Sequence, residues 1–167
     1  MRVDKNLSVT KKMSNLEKAI ATAVEAHMGQ VDKGGSPYIL HPLRVMMSLK
    51  TEKERIVGVL HDVIEDCSDK GFDLKYLRDQ GCDEQIIEAV RSVTKTPEED
   101  KLLKSLSGEE RIKAYLSVIS RAKANPIGRR VKYADIQDNL NVHRIPELKA
   151  RDLERLNQYK RALEFLD

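Results

Sequence analysis

The sequence predicts an all-α, single-domain helical bundle, and three observations carry that prediction. Ser, Thr, Asp or Asn recurs just ahead of apolar residues spaced at i, i+3 and i+4, the mark of capped amphipathic helices. Of the residues, 34% are charged and 40% hydrophobic, with 4% aromatic and no Trp, which suits helices better than a sandwich or barrel. The 167 residues are one domain's worth, enough to bury a core, and no repeat or low-complexity tract divides them.

The first helix opens on Ser14-Asn15-Leu16-Glu17, which has capping-box form, and continues through Leu16, Ala19, Ile20, Ala23, Val24 and His27 to stop at Gly29. Gln30 to Ser36, with Gly34-Gly35 ahead of Pro37, reads as a loop that delivers the chain to His41. Pro42 suits the first turn of a short helix, which puts His41 at or near its N-cap. A second capping box, Thr51-Glu52-Lys53-Glu54, opens the helix expected to carry His61-Asp62. Asp73 and Asp83 are expected to cap two further helices separated by Gly81. Thr94 to Ser107, with Pro97 and the run Glu98-Glu99-Asp100, reads as a mobile connection near the site entrance. Ser107-Gly108-Glu109-Glu110 restarts a helix, and Asn125-Pro126 opens the one bearing Asp135. Asp152 is expected to cap a last amphipathic helix, about 152–166, with Leu153, Leu156, Tyr159, Leu163 and Leu166 on its apolar face.

Composition narrows the functional classes. No apolar run approaches the roughly 20 residues of a membrane span, and the first residues lead into no signal-peptide core, so a cytoplasmic protein without a membrane partner is expected. Cys67 and Cys82 are too few for a disulfide framework or zinc ribbon and read as reduced thiols, Cys67 as a buried structural one. The net charge is +3, and residues 121 to 167 carry 11 Lys/Arg against 7 Asp/Glu. That mild bias, with no aromatic and basic interleaving, argues against a nucleic-acid partner.

The chemistry lies in His41, the pair His61-Asp62 with Glu65-Asp66 behind it, and Asp135. Four titratable groups within six residues, flanked by Val59, Leu60, Val63 and Ile64, would be costly to bury without a cation. Asp135 sits in an equally apolar stretch, Val131 to Ile136. Imidazole with carboxylate suits Mn, Fe, Ni or Zn, and the absence of thiolates argues against structural zinc. His41, His61, Asp62 and Asp135 are therefore the expected ligands, with Glu65 and Asp66 placed to orient or deprotonate a water. His27, on the apolar face of the first helix, reads as a structural histidine.

The segments Pro37-Tyr38-Ile39-Leu40-His41-Pro42-Leu43-Arg44-Val45, Leu60-His61-Asp62-Val63-Ile64-Glu65-Asp66 and Val131-Lys132-Tyr133-Ala134-Asp135, in that order, resemble the HD-superfamily phosphohydrolases. Within these they are most similar to the hydrolase domain of RelA/SpoT-type alarmone enzymes and their small stand-alone relatives, over about residues 16–144. The resemblance implies one HD-type helical domain over 1–167, Mn2+ as the metal, Glu65 and Asp66 as catalytic groups, and the 3′-diphosphate of guanosine tetra- or pentaphosphate as leaving group. It also implies substrate contacts from Lys33, Tyr38 and Asn139. A synthetase domain finds no room in 167 residues, so synthetase activity is not expected.

Recognition departs from the family pattern. Where the family carries Arg-Lys this chain has Asp32-Lys33, and where it reads Arg-x-His-Asn-Met-Arg this chain has Ile136-Gln137-Asp138-Asn139-Leu140-Asn141. Asp cannot stack or chelate as a guanidinium does, so guanosine tetraphosphate recognition is expected to be weak unless Lys33, Arg129 or Arg130 takes over. Asp138 either supports a metal ligand or faces solvent. Three readings follow: a hydrolase of an alarmone-like 3′-pyrophosphate, an HD phosphatase of another small phosphoester, and a non-catalytic nucleotide-binding module.

Overall fold

The computed structural model describes residues 15–167, which fold into ten α-helices with two short 3-10 turns. The only β pairing among them is one isolated bridge, Val31 to Pro37. Helix α1 (Asn15–Ala26) is followed by α2 (Leu40–Ser48), α3 (Glu52–Leu60), α4 (Val63–Cys67), α5 (Leu74–Asp79) and α6 (Glu84–Val93). Then come α7 (Pro97–Ser105), α8 (Gly108–Ala124), α9 (Pro126–Asn139) and α10 (Ala150–Leu166). The first capping box falls on Ser14, outside the described residues. Gly29, at φ +80°, does end the first helical segment.

Several starts are set by the expected side chains. Thr51 accepts from the Glu54 amide, and Glu54 in turn accepts from Thr51 N at 3.0 Å, a reciprocal cap. Asp73 and Asp83 cap α5 and α6 through the amides of Tyr76 and Ile86, and Asn125 Oδ1 accepts from Ile127 and Gly128.

Four expectations need correction. The mobile connection is a helix: Thr96 caps α7, Pro97 takes its first turn, and Glu99 returns the capping bond to Thr96 N at 2.9 Å. Its acidic run is not a loop signal but a first turn in which negative charge meets the positive end of the helix dipole. Second, His61-Asp62 does not ride within one helix: α3 ends at Leu60 and α4 begins at Val63, so the pair forms the joint. Third, α2 does not begin at Pro42 but two residues earlier, at Leu40 with Ile39 as its cap, and His41 stays near that cap in the first turn. Fourth, α10 starts two residues before Asp152, with Lys149 as its cap; Asp152 accepts from Lys149 N at 3.1 Å, and Leu153 is exposed.

Two apolar clusters hold the bundle. One joins α1 to α6 with the near half of α9, through Val45, Ile56, Val57, Leu60, Ile87, Val90 and Val131. The other joins α7, α8 and α10 to the far half of α9 through Leu103, Tyr115, Ile119, Ile136 and Leu166. Gly58 lets α2 and α3 meet: a Cβ there would stand 2.5 Å from Leu49 Cδ1 and 3.3 Å from Met46 Cα. Gly128 does the same between α9 and α6, where a Cβ would lie 2.1 Å from Ser92 Oγ. These approaches bring α2, the α3–α4 joint and α9 together. No helix among the described residues is long and apolar enough to cross a membrane.

Candidate metal centre

The four expected ligands converge. Nε2 of His41 lies 3.2 Å from Asp135 Oδ1 and 3.6 Å from Asp62 Oδ2, and Nε2 of His61 lies 3.0 Å from Asp62 Oδ2 and 3.5 Å from Asp135 Oδ1. Donor atoms of His41, His61 and Asp135 all fall within 4.8 Å of one another. The side chains of His41, His61 and Asp135 are 5%, 0% and 10% exposed, so bulk water does not shield this cluster.

Local structure aims each donor. His61 Nδ1 is 2.8 Å from the Gly58 carbonyl, which can only accept, so the proton sits on Nδ1 and Nε2 faces the centre. That Nε2 is buried without a hydrogen-bond partner. Asp62 stands at the N-cap of α4 yet makes no capping bond; its Oδ2 accepts from Tyr38 Oη at 2.6 Å instead. Asp135 accepts from Lys132 Nζ at 3.0 Å and from Asn139 Nδ2 at 2.6 Å, and its remaining direction points at the histidines. Behind His41 stands Asp138, with Oδ2 2.6 Å from Nδ1.

Electrostatics describe a place for a cation. Burial alone would lower both imidazole pKa values, but hydrogen bonds that His41 donates to Asp135 and Asp138 raise that of His41, and the charges of Asp62 and Asp135 raise that of His61. Burial works against ionising Asp62 and Asp135, yet the His61 charge holds Asp62 far down, and the Lys132 and His61 charges hold Asp135 down. Without a metal, protons on the rings must balance the carboxylates. A divalent ion would replace those protons and take the Nε2 lone pairs of His41 and His61 beside the two carboxylates, so the donor set fits a metal.

The centre forms one end of a cleft of about 800 Å³. Glu65 accepts from Lys95 N at 3.0 Å and pairs with the Lys95 ammonium. Asp66 opens to the cleft but is hemmed in by protein, and this desolvation, with the carboxylates of Asp62 and Glu65, pushes its pKa up to about 7. The other expected contacts, Lys33, Tyr38 and Asn139, all line the cleft. Tyr38 and Asn139 reach it while bonded to Asp62 and Asp135, and Lys33 is paired with Asp152 across to α10.

Asp32 lines the cleft and also organises its own loop. Its Oδ1 accepts from Gly34 N at 2.8 Å and Ser36 N at 3.0 Å, folding the loop ahead of Tyr38. Arg129 and Arg130 do not line the cleft: Arg129 donates to the Leu166 carbonyl at 2.5 Å, and Arg130 pairs with Glu54 at 3.2 Å. Besides Lys132, the cleft cations that sequence reasoning missed are Lys95, Lys104, Arg111, Lys149, Arg151 and Arg155. Arg111 donates to Gln158 at 3.0 Å and Arg155 to Tyr159 at 2.8 Å, both neutral acceptors. No local pattern marks these residues. Lys132 could have been found, because a lysine three residues before Asp135 in an apolar stretch signals a buried ion pair.

His27 is buried, as expected, with Nδ1 2.8 Å from Gln30 Oε1; burial lowers its pKa and keeps it neutral. Its Nε2 has no hydrogen-bond partner, which the sequence did not foretell. Cys67 is buried and donates to the Ala26 carbonyl at 3.2 Å.

No protein-family model matches the chain. Among curated proteins, the chain is 35% identical over 82 residues to a guanosine-3′,5′-bis(diphosphate) 3′-pyrophosphohydrolase of Borreliella burgdorferi, covering 47% of this chain and 12% of that protein. It is 33% identical over 93 residues to the bifunctional (p)ppGpp synthase/hydrolase SpoT of Escherichia coli K12, covering 53% of this chain and 13% of that protein. A GTP pyrophosphokinase of Myxococcus xanthus is 44% identical over 55 residues, 30% of this chain and 7% of that protein. The chain thus resembles RelA/SpoT-type proteins, and the matched segments span 7% to 13% of their length.

Proposed function

We propose that the protein is a metal-dependent phosphohydrolase of a nucleotide, removing the 3′-diphosphate from a substrate like guanosine-3′,5′-bis(diphosphate). One observation carries this reading: the buried donor atoms of His41, His61, Asp62 and Asp135 converge beside a cleft that His41, Asp62 and Asp135 line. The names of the relatives supply the nucleotide. Two imidazoles and two carboxylates suit a transition metal, and Mn2+ is the ion we assign. Such an ion, when bound, supplies Lewis acidity, making a water more acidic and drawing charge from a phosphate oxygen.

The chain's own groups do the rest. Asp66, which lines the cleft one turn from Asp62, is placed to hold or release a proton, and Glu65, fixed by Lys95, orients a water beside it. Tyr38 and Asn139 steady two ligands and face the substrate. Lys33, Lys104, Arg111 and Arg155 present positive charge to phosphates further along the cleft. The reading also places the protein in the cytoplasm.

A second reading, hydrolysis of a different nucleotide phosphoester, is favoured by Asp32, which gives this loop no guanidinium to stack on guanine. Metal analysis followed by phosphate and pyrophosphate release from a nucleotide panel tests both. Release of pyrophosphate from guanosine tetraphosphate supports the first, and turnover of another nucleotide alone supports the second. Metal binding without turnover of any member would leave a binding module and overturn the enzyme reading.

A further inference from the structure

Asp138 and Arg44 form a layer behind the centre that no ligand role explains. Arg44 grips the Asp138 carboxylate in a fork, Nε to Oδ1 at 2.7 Å and Nη2 to Oδ2 at 2.9 Å. Oδ2 of the same carboxylate lies 2.6 Å from His41 Nδ1. The contacts cross from α2 to α9, where His41 and Arg44 on one helix and Asp135 and Asp138 on the other are each spaced three apart and so share a face. The Arg44 side chain is 40% exposed and that of Asp138 12%, so the guanidinium closes the outer side of an otherwise buried carboxylate.

An ionised carboxylate held by a guanidinium can only accept, so a 2.6 Å contact puts the proton on His41 Nδ1. Nε2 then faces Asp62 and Asp135, protonated while no cation is present and free to offer its lone pair when one displaces that proton. Gly58 does the same for His61 with a backbone carbonyl, which no side-chain substitution removes. For His41 the chain relies on a side chain. Where the resembled family carries a His, this chain has Asp138, and the carboxylate serves Arg44 and His41 at once.

We propose that Asp138, clamped by Arg44, is a positioning residue that fixes the ring and tautomer of His41 and so sets the affinity of the centre for its divalent cation. The inference rests on the metal-centre reading above.

The test measures Mn2+ binding by chelator competition, together with imidazole nitrogen NMR of the Zn2+-loaded protein. Wild type is expected to show His41 bound through Nε2 with a slowly exchanging Nδ1 proton. Asp138→Ala should raise the Mn2+ Kd roughly 10- to 100-fold and lose that proton signal, with excess Mn2+ restoring occupancy. Asp138→Asn, which keeps an acceptor oxygen, and Arg44→Ala should show smaller rises. Equal losses of thermal stability in Asp138→Ala and Arg44→Ala with unchanged Kd would reduce the pair to a helix clamp and overturn the inference. Wild-type His41 bound through Nδ1 would overturn it without any variant. Absence of metal binding by wild type would instead take down the metal-centre reading, and this inference with it.

Discussion

The two ends of the cleft are built on opposite principles. At the metal end, His41, His61 and Asp135 are each less than a tenth exposed, and backbone or side-chain partners dictate their orientation. Elsewhere in the cleft lining, the side chains of Lys33 and Lys104 are 51% and 69% exposed, and each is paired with an acid, Asp152 or Asp100. Burial makes an unpaired charge costly, so the first set has few arrangements open to it. Exposed pairs contribute about 0–1 kcal/mol, so the second set can exchange partners when a phosphate arrives. The contrast separates fixed chemistry from adjustable recognition. Arg111 and Arg155 lie between the extremes, half-buried and held by neutral acceptors.

The largest effect should come from breaking the buried end. His61→Ala is expected to abolish both metal binding and turnover, measured as metal per chain and phosphate release. Metal removal should lower the wild-type melting temperature, because a ligand at 100 times its Kd stabilises by about 2.7 kcal/mol. A variant that still binds Mn2+ with wild-type affinity would show that the four side chains do not form the site.

Glu65→Gln keeps an acceptor for the Lys95 amide but loses the carboxylate charge. It should retain metal near the wild-type level while kcat falls roughly 100-fold, a loss typical of a missing acid–base group. Metal loss instead would make Glu65 a ligand.

For the half-buried cations between these extremes, Arg155→Met should raise KM for a polyphosphorylated nucleotide roughly tenfold, about 1.4 kcal/mol, with little change in kcat. A fall in kcat at constant KM would place Arg155 with the chemistry and erase the contrast.

Asp32→Arg sharpens the boundary between the two ends. Because Asp32 organises its loop through Gly34 and Ser36, the substitution should cost about 1 kcal/mol of stability, read from denaturant unfolding, and bring no gain in affinity for guanosine tetraphosphate. Tighter binding would mean that the loop tolerates the family's arginine.

The smallest effect concerns acid. Hydrogen bonding from Arg121 outweighs burial and holds the Glu99 carboxyl below its ordinary 4.5. A depressed folded pKa adds stability that is present above the unfolded value and lost as pH falls through the folded one. Glu99→Gln should therefore be less stable than wild type at pH 7, and the gap should narrow below about pH 4. A gap that is constant with pH would mean that the pair contributes nothing through charge.

The sequence by itself determined the helical class, the caps at Thr51, Asp73, Asp83 and Asn125, and the ligand candidates, because these signals are local. Capping bonds span three residues, and an acid among apolar neighbours declares its cost within one helical turn. Even Thr96 announced α7 through Glu99, though its charge run was read as a loop.

Only the tertiary structure decided what meets across helices. That Asp138 lies behind His41, that Arg111 reaches Gln158 on α10 and that Arg111 and Arg155 both line the cleft depend on packing between helices, with contacts 47 and 97 residues apart. Surface cations carry no periodic mark, since solvent accepts them in almost any position. Their placement follows from the packing of α8 and α10 against α9, where the close fit of apolar side chains admits far fewer arrangements than the charge pattern does.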